Sequence, residues 1–599
     1  MKATGMNATP LKATLRGALL SIVVFGIALP LHGVRAEQPS ARQIEPEADT
    51  GHTNKDLATG KTFMVSSANA AASEAGREIL RAGGSAVDAA IAVQLVLGLV
   101  EPQSSGLGGG AFLLHWDGAS KTLKTYDGRE TAPAAARPDR FLKDGRPMNF
   151  NTAVQSGLSI GTPGVVRLLE HAHKAHGKLP WADLFAPAIR IARNGFEISN
   201  RLYFLLRWFG PTGLSPEAKA YFFDGNGNPF PIGHALKNPA YAATLEAIAK
   251  GGADAFYAGP IAEAVVAAST HATNVAGDLT LADLAAYKVV ERPPVCVPYR
   301  TYRICGMGPP SSGGIAVAQV LKLIERFDPG RGPDDAMNTA ALHLVTEAER
   351  LAYADRNRYL ADPDFVAVPE GLLDEGYLAA RSALIDTAKA MTSAEPGTPP
   401  GLDKRAFGVD ATLERAGTSH ISVVDAAGNT VAMTTTIEGA FGSGMFAAGF
   451  LLNNQLTDFS FAHTDSSGAP IANRVEGGKR PRSTMAPIIV FDDKGEVFAA
   501  LGSPGGGRII LYVVKTLVAL IDWKLDAQAA IDLPNFGSTG DTLELEIGWS
   551  TIWKALALKS YGHSISPGLM NSGVHTVVRR NGRLEGGADP RREGAALGD

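Results

Sequence analysis

Several features are scarce in this sequence, and each scarcity excludes something. Only two cysteines occur, Cys296 and Cys305, so at most one internal disulfide can form. Lysine and arginine gather in no basic cluster, and the formal net charge is −4. A mildly acidic chain of this kind lacks the electrostatic footprint of a nucleic-acid binder. Past the N-terminus no segment is long and apolar enough to span a bilayer, which takes about 20 residues. Linker-like stretches are few; the best is Ser393–Lys404, rich in Pro and Gly. No Walker A sequence is present. The glycines at Gly106–Gly110 partly mimic a dinucleotide loop, but a helix precedes them and a strand follows, the reverse of that loop's context. His171, His173 and His176 cluster without a His-Glu-x-x-His pattern, so no metal site is assigned to them.

What is present begins with a leader. Lys2, Lys12 and Arg16 precede a 15-residue apolar stretch, Gly17 to Leu31, and Val34-Arg35-Ala36 offers small residues at the −3 and −1 positions of a cleavage site. This predicts a secretory signal peptide over residues 1–36 and a periplasmic or secreted mature chain. A retained signal anchor is the alternative. Removing residues 1–36 removes four basic residues and no acidic ones, so the charge becomes −8.

The two cysteines lie in Val295-Cys-Val-Pro-Tyr-Arg-Thr-Tyr-Arg-Ile-Cys305. If Arg300-Thr301 is a two-residue turn, Cys296 falls opposite Cys305 in a non-hydrogen-bonded pair, where side chains are closest. Export to an oxidising compartment favours a disulfide. Arg-Thr is a weak primed-turn dipeptide, and two reduced cysteines remain the alternative.

Hydrophobic periodicity predicts helices over Ala70–Ala82 and Ser85–Val100, the second apolar nearly all round and therefore buried, with Gly83-Gly84 between them. Ala111–Trp116 and Leu123–Asp127 read as paired strands. The region from Pro163 to Ala390 reads as mostly helical. From Thr418 the pattern changes to short strands at Ile421–Val424, Thr430–Thr436, Ile488–Asp492 and Val497–Leu501. Helices are expected at Ile509–Ile521 and Ala527–Ile531, and a strand at Val574–Arg579. Helices lying outside strand pairs imply a layered α/β protein.

The segment with most chemistry is Gly417-Thr418-Ser419-His420-Ile421-Ser422, with Thr434-Thr435-Thr436 on the next apolar run. A flexible glycine precedes a hydroxyl residue that opens an alternating strand. This suits a chain that cuts itself at Gly417-Thr418 and uses the new N-terminal threonine as nucleophile. Hydroxyls need an adjacent base, and an α-amine with a pKa of roughly 7.7–8.0 can serve within the same residue. The alternative is a Gly-bounded hairpin with threonine present for strand propensity.

Further segments follow in a definite order. Upstream lie Glu101-Pro102-Gln103-Ser104-Ser105-Gly106-Leu107-Gly108-Gly109-Gly110, Asp127-Gly128-Arg129-Glu130 and Pro309-Pro310-Ser311-Ser312-Gly313-Gly314. Downstream lie Leu451-Leu452-Asn453-Asn454-Gln455-Leu456-Thr457-Asp458, Lys479-Arg480-Pro481-Arg482-Ser483-Thr484-Met485-Ala486-Pro487 and Gly502-Ser503-Pro504-Gly505-Gly506-Gly507-Arg508. In this order the chain closely resembles the γ-glutamyltranspeptidase (glutathione hydrolase) family, from about Met64 to Gly594.

The resemblance implies a four-layer αββα sandwich of the N-terminal-nucleophile hydrolase type. It implies a proenzyme cut into a large subunit, 37–417, and a small one, 418–599, which stay together as a heterodimer. Thr418 would attack first the carbonyl of Gly417 and then the γ-carbonyl of a donor such as glutathione. The resulting acyl-enzyme would pass to water or to an amino acid or peptide. Thr436 matches the threonine that hydrogen-bonds the nucleophile, and Gly505 and Gly506 match the oxyanion-hole position. Arg129, with Ser483 and Thr484, would grip the donor α-carboxylate; Asp458, Gln455 and Glu438 would hold its α-ammonium. No cofactor or metal is implied, and His420 is expected to be structural.

Three departures from the family pattern stand out. Thr484 stands where most members carry serine. Glu438 stands where several well-known members carry asparagine. The loop between Asp458 and Ser483, a lid in some members, has an intermediate length of 24 residues. Two other readings remain: an acylase for glutaryl or cephalosporin-type side chains, and a non-catalytic periplasmic amino-acid-binding module.

Overall fold

The computed structural model describes residues 51–599 apart from 273, 403–406, 413 and 416. The expected signal peptide lies outside the described residues, as do the last two positions of the Ser393–Lys404 stretch. Two seven-stranded sheets face one another. One, which carries Thr418, runs in the order Ala595–Gly598, Met64–Ser67, Thr418–Val424, Thr430–Thr436, Gly110–Asp117, Thr122–Gly128, Val290–Arg292. The other runs Ala58–Gly60, Arg583–Ala588, His575–Arg580, Val497–Gly502, Ile488–Phe491, Tyr302–Gly306, Val295–Tyr299. Residues before and after Thr418 contribute to both sheets.

Helices cover the outer faces. Ala86–Val100, buried along its whole length, packs on the strands Thr418–Val424 and Thr430–Thr436. Its start is fixed by a capping box, in which Ser85 accepts from Asp88 N and the Asp88 carboxylate accepts from Ser85 N. On the other side Gly313–Ile324, Ile509–Ile521 and Ala527–Asp532 pack on the second sheet. The order helix, sheet, sheet, helix is the four-layer sandwich.

Strand alternation explains how the layers are stitched. Ile421, Val423, Val431 and Met433 join the core beneath Ala86–Val100. The intervening residues face the second sheet. Ser422 Oγ donates to the carbonyls of Ala500 (3.2 Å) and His575 (3.1 Å), which belong to that sheet. Thr418 and His420 share this face by the same two-residue period. The nucleophile candidate therefore points between the sheets because of its register, not because of a special turn.

Most expected elements are present, with small shifts at their ends. The strand expected at Ile421–Val424 begins three residues earlier, at Thr418. Cys296 pairs with Cys305 across the hairpin, with Tyr299 opposite Tyr302 as the two-residue turn requires, and the two cysteines are disulfide-bonded. Arg300 takes the positive φ (55°) that a primed turn needs. Unanticipated elements include the edge strands Ala58–Gly60 and Ala595–Gly598 and the helix Trp549–Ser560.

Candidate active site

Thr418 and Thr436 are direct partners on adjacent antiparallel strands. Thr436 Oγ1 donates to the carbonyl of Gly417 at 2.5 Å and accepts from Glu438 N at 2.8 Å. Its hydroxyl is thus oriented from both sides and aimed at the carbonyl that self-cleavage would attack. In the continuous chain this hydroxyl serves the Gly417 carbonyl, whereas the resemblance assigned it to the Thr418 hydroxyl. Gly417 has a steric reason to be glycine: a Cβ there would lie 1.9 Å from the Glu438 carbonyl oxygen. The glycines Gly108, Gly109 and Gly110 are explained in the same way. A Cβ on Gly109 would stand 1.9 Å from the carbonyl oxygen of Thr436, so only a residue without a side chain can lie against the end of the threonine strand there.

One small cavity, about 20 Å³, is lined by Thr418, Thr436, Arg129, Glu438, Gln455, Asp458, Ser483, Thr484 and Gly506. That is room for about one water molecule. The structure thus brings together nine of the expected site residues. Gly505 adjoins Gly506 in the chain but is not part of the lining, and Gly417 enters through its bond to Thr418. Glu414, Arg415, Met485 and Ile509 complete the wall. Glu414 and Arg415 precede the Gly417-Thr418 bond, so in the continuous chain the segment leading to that bond takes up part of the site.

Arg129 is buried and already engaged. Its Nε donates to the Pro481 carbonyl (3.2 Å), and Nη2 donates to Asp458 (2.5 Å) and to the Arg482 carbonyl (3.0 Å). Nη1 lies 3.7 Å from Glu130. Burial raises the Glu130 carboxyl to about 8, against the pull of Arg129, so it is mostly neutral at pH 7. The fork expected to grip a carboxylate with two parallel bonds therefore has one edge committed to the protein, and Nη1 is the arm left to face a ligand. Ser483 Oγ accepts from Met485 N at 3.1 Å, which leaves its own proton to donate. Thr484 Oγ1 donates to the Gly506 carbonyl at 2.7 Å.

The carboxylates opposite are unusual. Asp458 accepts from Gln455 Nε2 (2.7 Å) as well as from Arg129. Burial raises its pKa to about 6; Arg129 opposes that rise and Glu414 adds to it. Glu438, held by Asn454 Nδ2, is pushed well above the usual carboxylate range by burial and by Asp458. Glu438 Oε1 and Gln455 Oε1 are buried oxygens without a hydrogen-bond partner. Orphaned acceptors cost roughly 1–3 kcal/mol each. A cluster of such oxygens beside a carboxylate is chemically matched to a cation that carries several protons.

The remaining motifs act as a frame. Ser312 donates from both N and Oγ to the Ser483 carbonyl (each 2.7 Å), and Ser311 Oγ donates to the Met485 carbonyl (2.7 Å). The Pro-Pro-Ser-Ser segment thus fixes the Ser483-Thr484 backbone. Asn453 bridges the carbonyls of Gly108 and Gly161 (2.7 and 2.9 Å). Phe461, in the loop between Asp458 and Ser483, stacks on Phe141 at 4.6 Å. His420 bonds Thr434 (2.8 Å) and Ser422 (3.0 Å), and burial lowers its pKa to about 3, so it stays neutral.

Sequence reasoning missed Glu414. Its carboxylate is bonded by Arg356 and by Arg482 (3.3 Å), which fastens the chain four residues before Thr418. Nothing in its local sequence marks it, since both arginines are distant in the chain.

The profile of the gamma-glutamyltranspeptidase family matches residues 72–599. The glutathione hydrolase proenzyme of Escherichia coli (strain K12) is 39% identical over 550 residues, covering 89% of this chain and 90% of that protein. That of Bacillus subtilis (strain 168) is 33% identical over 596 residues, covering 97% of each. Among solved structures, the cephalosporin acylase from Bacillus halodurans superposes with a TM-score of 0.79 at 25% identity, over 94% of this chain and 99% of that one. The gamma-glutamyltranspeptidase of Helicobacter pylori superposes at 0.53 with 31% identity, over 59% and 99%. With the family profile matching residues 72–599 and these relatives covered over 90% or more of their length, the chain belongs to the γ-glutamyltranspeptidase family.

Proposed function

We propose that this enzyme is exported, cuts itself between Gly417 and Thr418, and then uses Thr418 to take γ-glutamyl groups from glutathione and similar donors. In the first step the Thr418 hydroxyl adds to the Gly417 carbonyl, with Thr436 Oγ1 donating to the oxygen that gains charge. The peptide nitrogen leaves as the free α-amine of Thr418, and water hydrolyses the ester left behind. In the second step that α-amine accepts the hydroxyl proton as Thr418 attacks the donor γ-carbonyl. Gly505 and Gly506 supply backbone N–H groups to the oxyanion. Water or an amino acid or peptide then releases the γ-glutamyl group.

The observation that carries this reading is the pair of unpartnered acceptors, Glu438 Oε1 and Gln455 Oε1, beside Asp458 in the cavity that holds Thr418. The charge of a donor α-ammonium draws Glu438 to its anionic form, and its three protons then meet the oxygens of Asp458, Glu438 and Gln455. Arg129 Nη1 and the Ser483 hydroxyl receive the α-carboxylate.

The acylase reading draws support from the high TM-score of the cephalosporin acylase. An acyl group without an α-amine would leave the acceptors unmet, at a cost of several kcal/mol in sum. Comparing turnover of γ-glutamyl and glutaryl anilides tests this: a strong preference for γ-glutamyl is expected, and equal rates would remove the ammonium seat. Denaturing electrophoresis tests the processing, with fragments 37–417 and 418–599 expected. A single uncut band in active protein would overturn it, and an uncut protein without turnover would return the amino-acid-binding module to consideration.

A further inference from the structure

One cluster outside the catalytic cavity carries metal-ligand chemistry that the reaction above does not use. His343 and Glu347 stand one turn apart on the helix Thr339–Tyr359, and His563 follows the helix Trp549–Ser560. All three are buried, and one donor atom from each lies within 4.8 Å of the other two. His343 Nδ1 is 2.8 Å from His563 Nε2.

The surroundings orient these groups. His343 Nε2 is 2.7 Å from the Asp386 carbonyl, which can only accept, so Nε2 carries the proton and Nδ1 turns a lone pair toward His563. A ring fixed from behind by a carbonyl is the usual support of a metal-bound imidazole. Glu347 is anchored by Met391 N (2.7 Å) and Arg350 Nη1 (2.9 Å), one on each oxygen.

We propose that His343, Glu347 and His563 bind a divalent cation of the zinc class, through two imidazole nitrogens and one carboxylate oxygen, with water as the fourth ligand. This is a donor set that zinc favours. Ligands roughly 2.1 Å from a tetrahedral ion stand about 3.4 Å apart, so the two rings must open by about half an ångström. Arg350 works against a cation here, but its charge is met by Glu347 and by Asp541 at 3.1 Å. The rival is a plain hydrogen bond from His563 Nε2 to His343 Nδ1. His343 and Glu347 precede Gly417 and His563 follows Thr418, so after cleavage the ion would clip the two pieces together.

The test uses tag-free full-length protein stripped with a chelator and titrated with Co²⁺. One equivalent is expected, with the intense visible absorption of a tetrahedral N/O site, and Zn²⁺ should abolish that absorption stoichiometrically. His563→Gln and, independently, His343→Gln should weaken binding by about a hundredfold or more, beyond what loss of a supporting group costs. Zn²⁺ should raise the melting temperature of stripped wild type and leave that of His563→Gln unchanged. Wild-type protein that gives no such absorption, or absorption that survives in the variants, overturns the proposal in favour of the hydrogen bond. Turnover of a γ-glutamyl anilide by stripped protein is a separate readout and bears only on the catalytic reading.

Discussion

The two ends of the candidate catalytic cavity are made of different materials. The Thr418 end is neutral: two threonines paired across adjacent strands, with a neutral histidine two residues along. The far end is ionic. Arg129, Asp458 and Glu438 meet there, with Glu414 nearby, from segments more than 300 residues apart at the extremes. Strand register fixes the first end, and a change there misplaces atoms. Burial and charge balance fix the second, and a change there shifts affinities and protonation. Different substitutions should therefore fail in different ways.

The largest effects belong to the neutral end. Thr418→Ala removes the oxygen proposed to attack in both reactions, so only uncut chain and no turnover are expected on gels and in assays. Thr436→Val keeps shape and strand preference but removes the proton given to Gly417 O. Loss of one such donor costs about a hundred- to a thousandfold, and self-cleavage, followed by band intensities over time, should slow by that much. Normal cutting by the valine variant would mean that the 2.5 Å contact plays no part in processing.

The ionic end should respond differently. Asp458→Asn keeps a hydrogen-bonding group and removes the charge, so it should cut itself at a rate near wild type. It should nonetheless lose about ten- to a hundredfold in kcat/KM for γ-glutamyl donors, the value of a charge-assisted contact of roughly 1.5–3 kcal/mol. The same group predicts a pH dependence. Asp458 titrates at about 6; above that it is anionic and attracts an ammonium, and below it is neutral. KM for a γ-glutamyl donor should therefore rise as pH falls through 6. KM for an acyl donor lacking the amine should not rise there, and parallel profiles would detach Asp458 from the ammonium.

This contrast also separates what could be read in the sequence from what could not. The strands that carry Thr418 and Thr436 follow from alternating pattern, although the partnership of the two threonines is implied by the family resemblance, and the helices Ala86–Val100 and Ile509–Ile521 follow from long apolar runs. Motif order gave the membership of the ionic end but not its wiring. That Arg129 is held by Asp458 and two carbonyls is decided by a fold joining residues 329 and more positions apart. Glu414 escaped for the same reason. The edge strands Ala58–Gly60 and Ala595–Gly598 are short, and long-range partners create them, as in Ala58 opposite Gly586 and Met64 opposite Gly598. Local pattern carries no trace of such pairings.

The smallest predicted effect lies where the two ends meet, at Thr484. Its hydroxyl donates to the Gly506 carbonyl at 2.7 Å and so ties the segment bearing Ser483 to the glycine turn of the proposed oxyanion hole. If the hydroxyl is what matters, Thr484→Ser keeps the bond and loses only a methyl group in a cavity wall. That should change kcat/KM by no more than about fourfold, in line with roughly 0.8 kcal/mol for one such group. Thr484→Val keeps the methyl and loses the bond, leaving the Gly506 carbonyl short of a partner at about 1–3 kcal/mol. Five- to a hundredfold lower kcat is then expected, with KM little changed, because the turn acts on the charge that develops during reaction and not on the amino-acid head. If valine behaved like serine, the tie to Gly506 would be packing alone; a defect in KM would instead place Thr484 on the ionic side of the cavity.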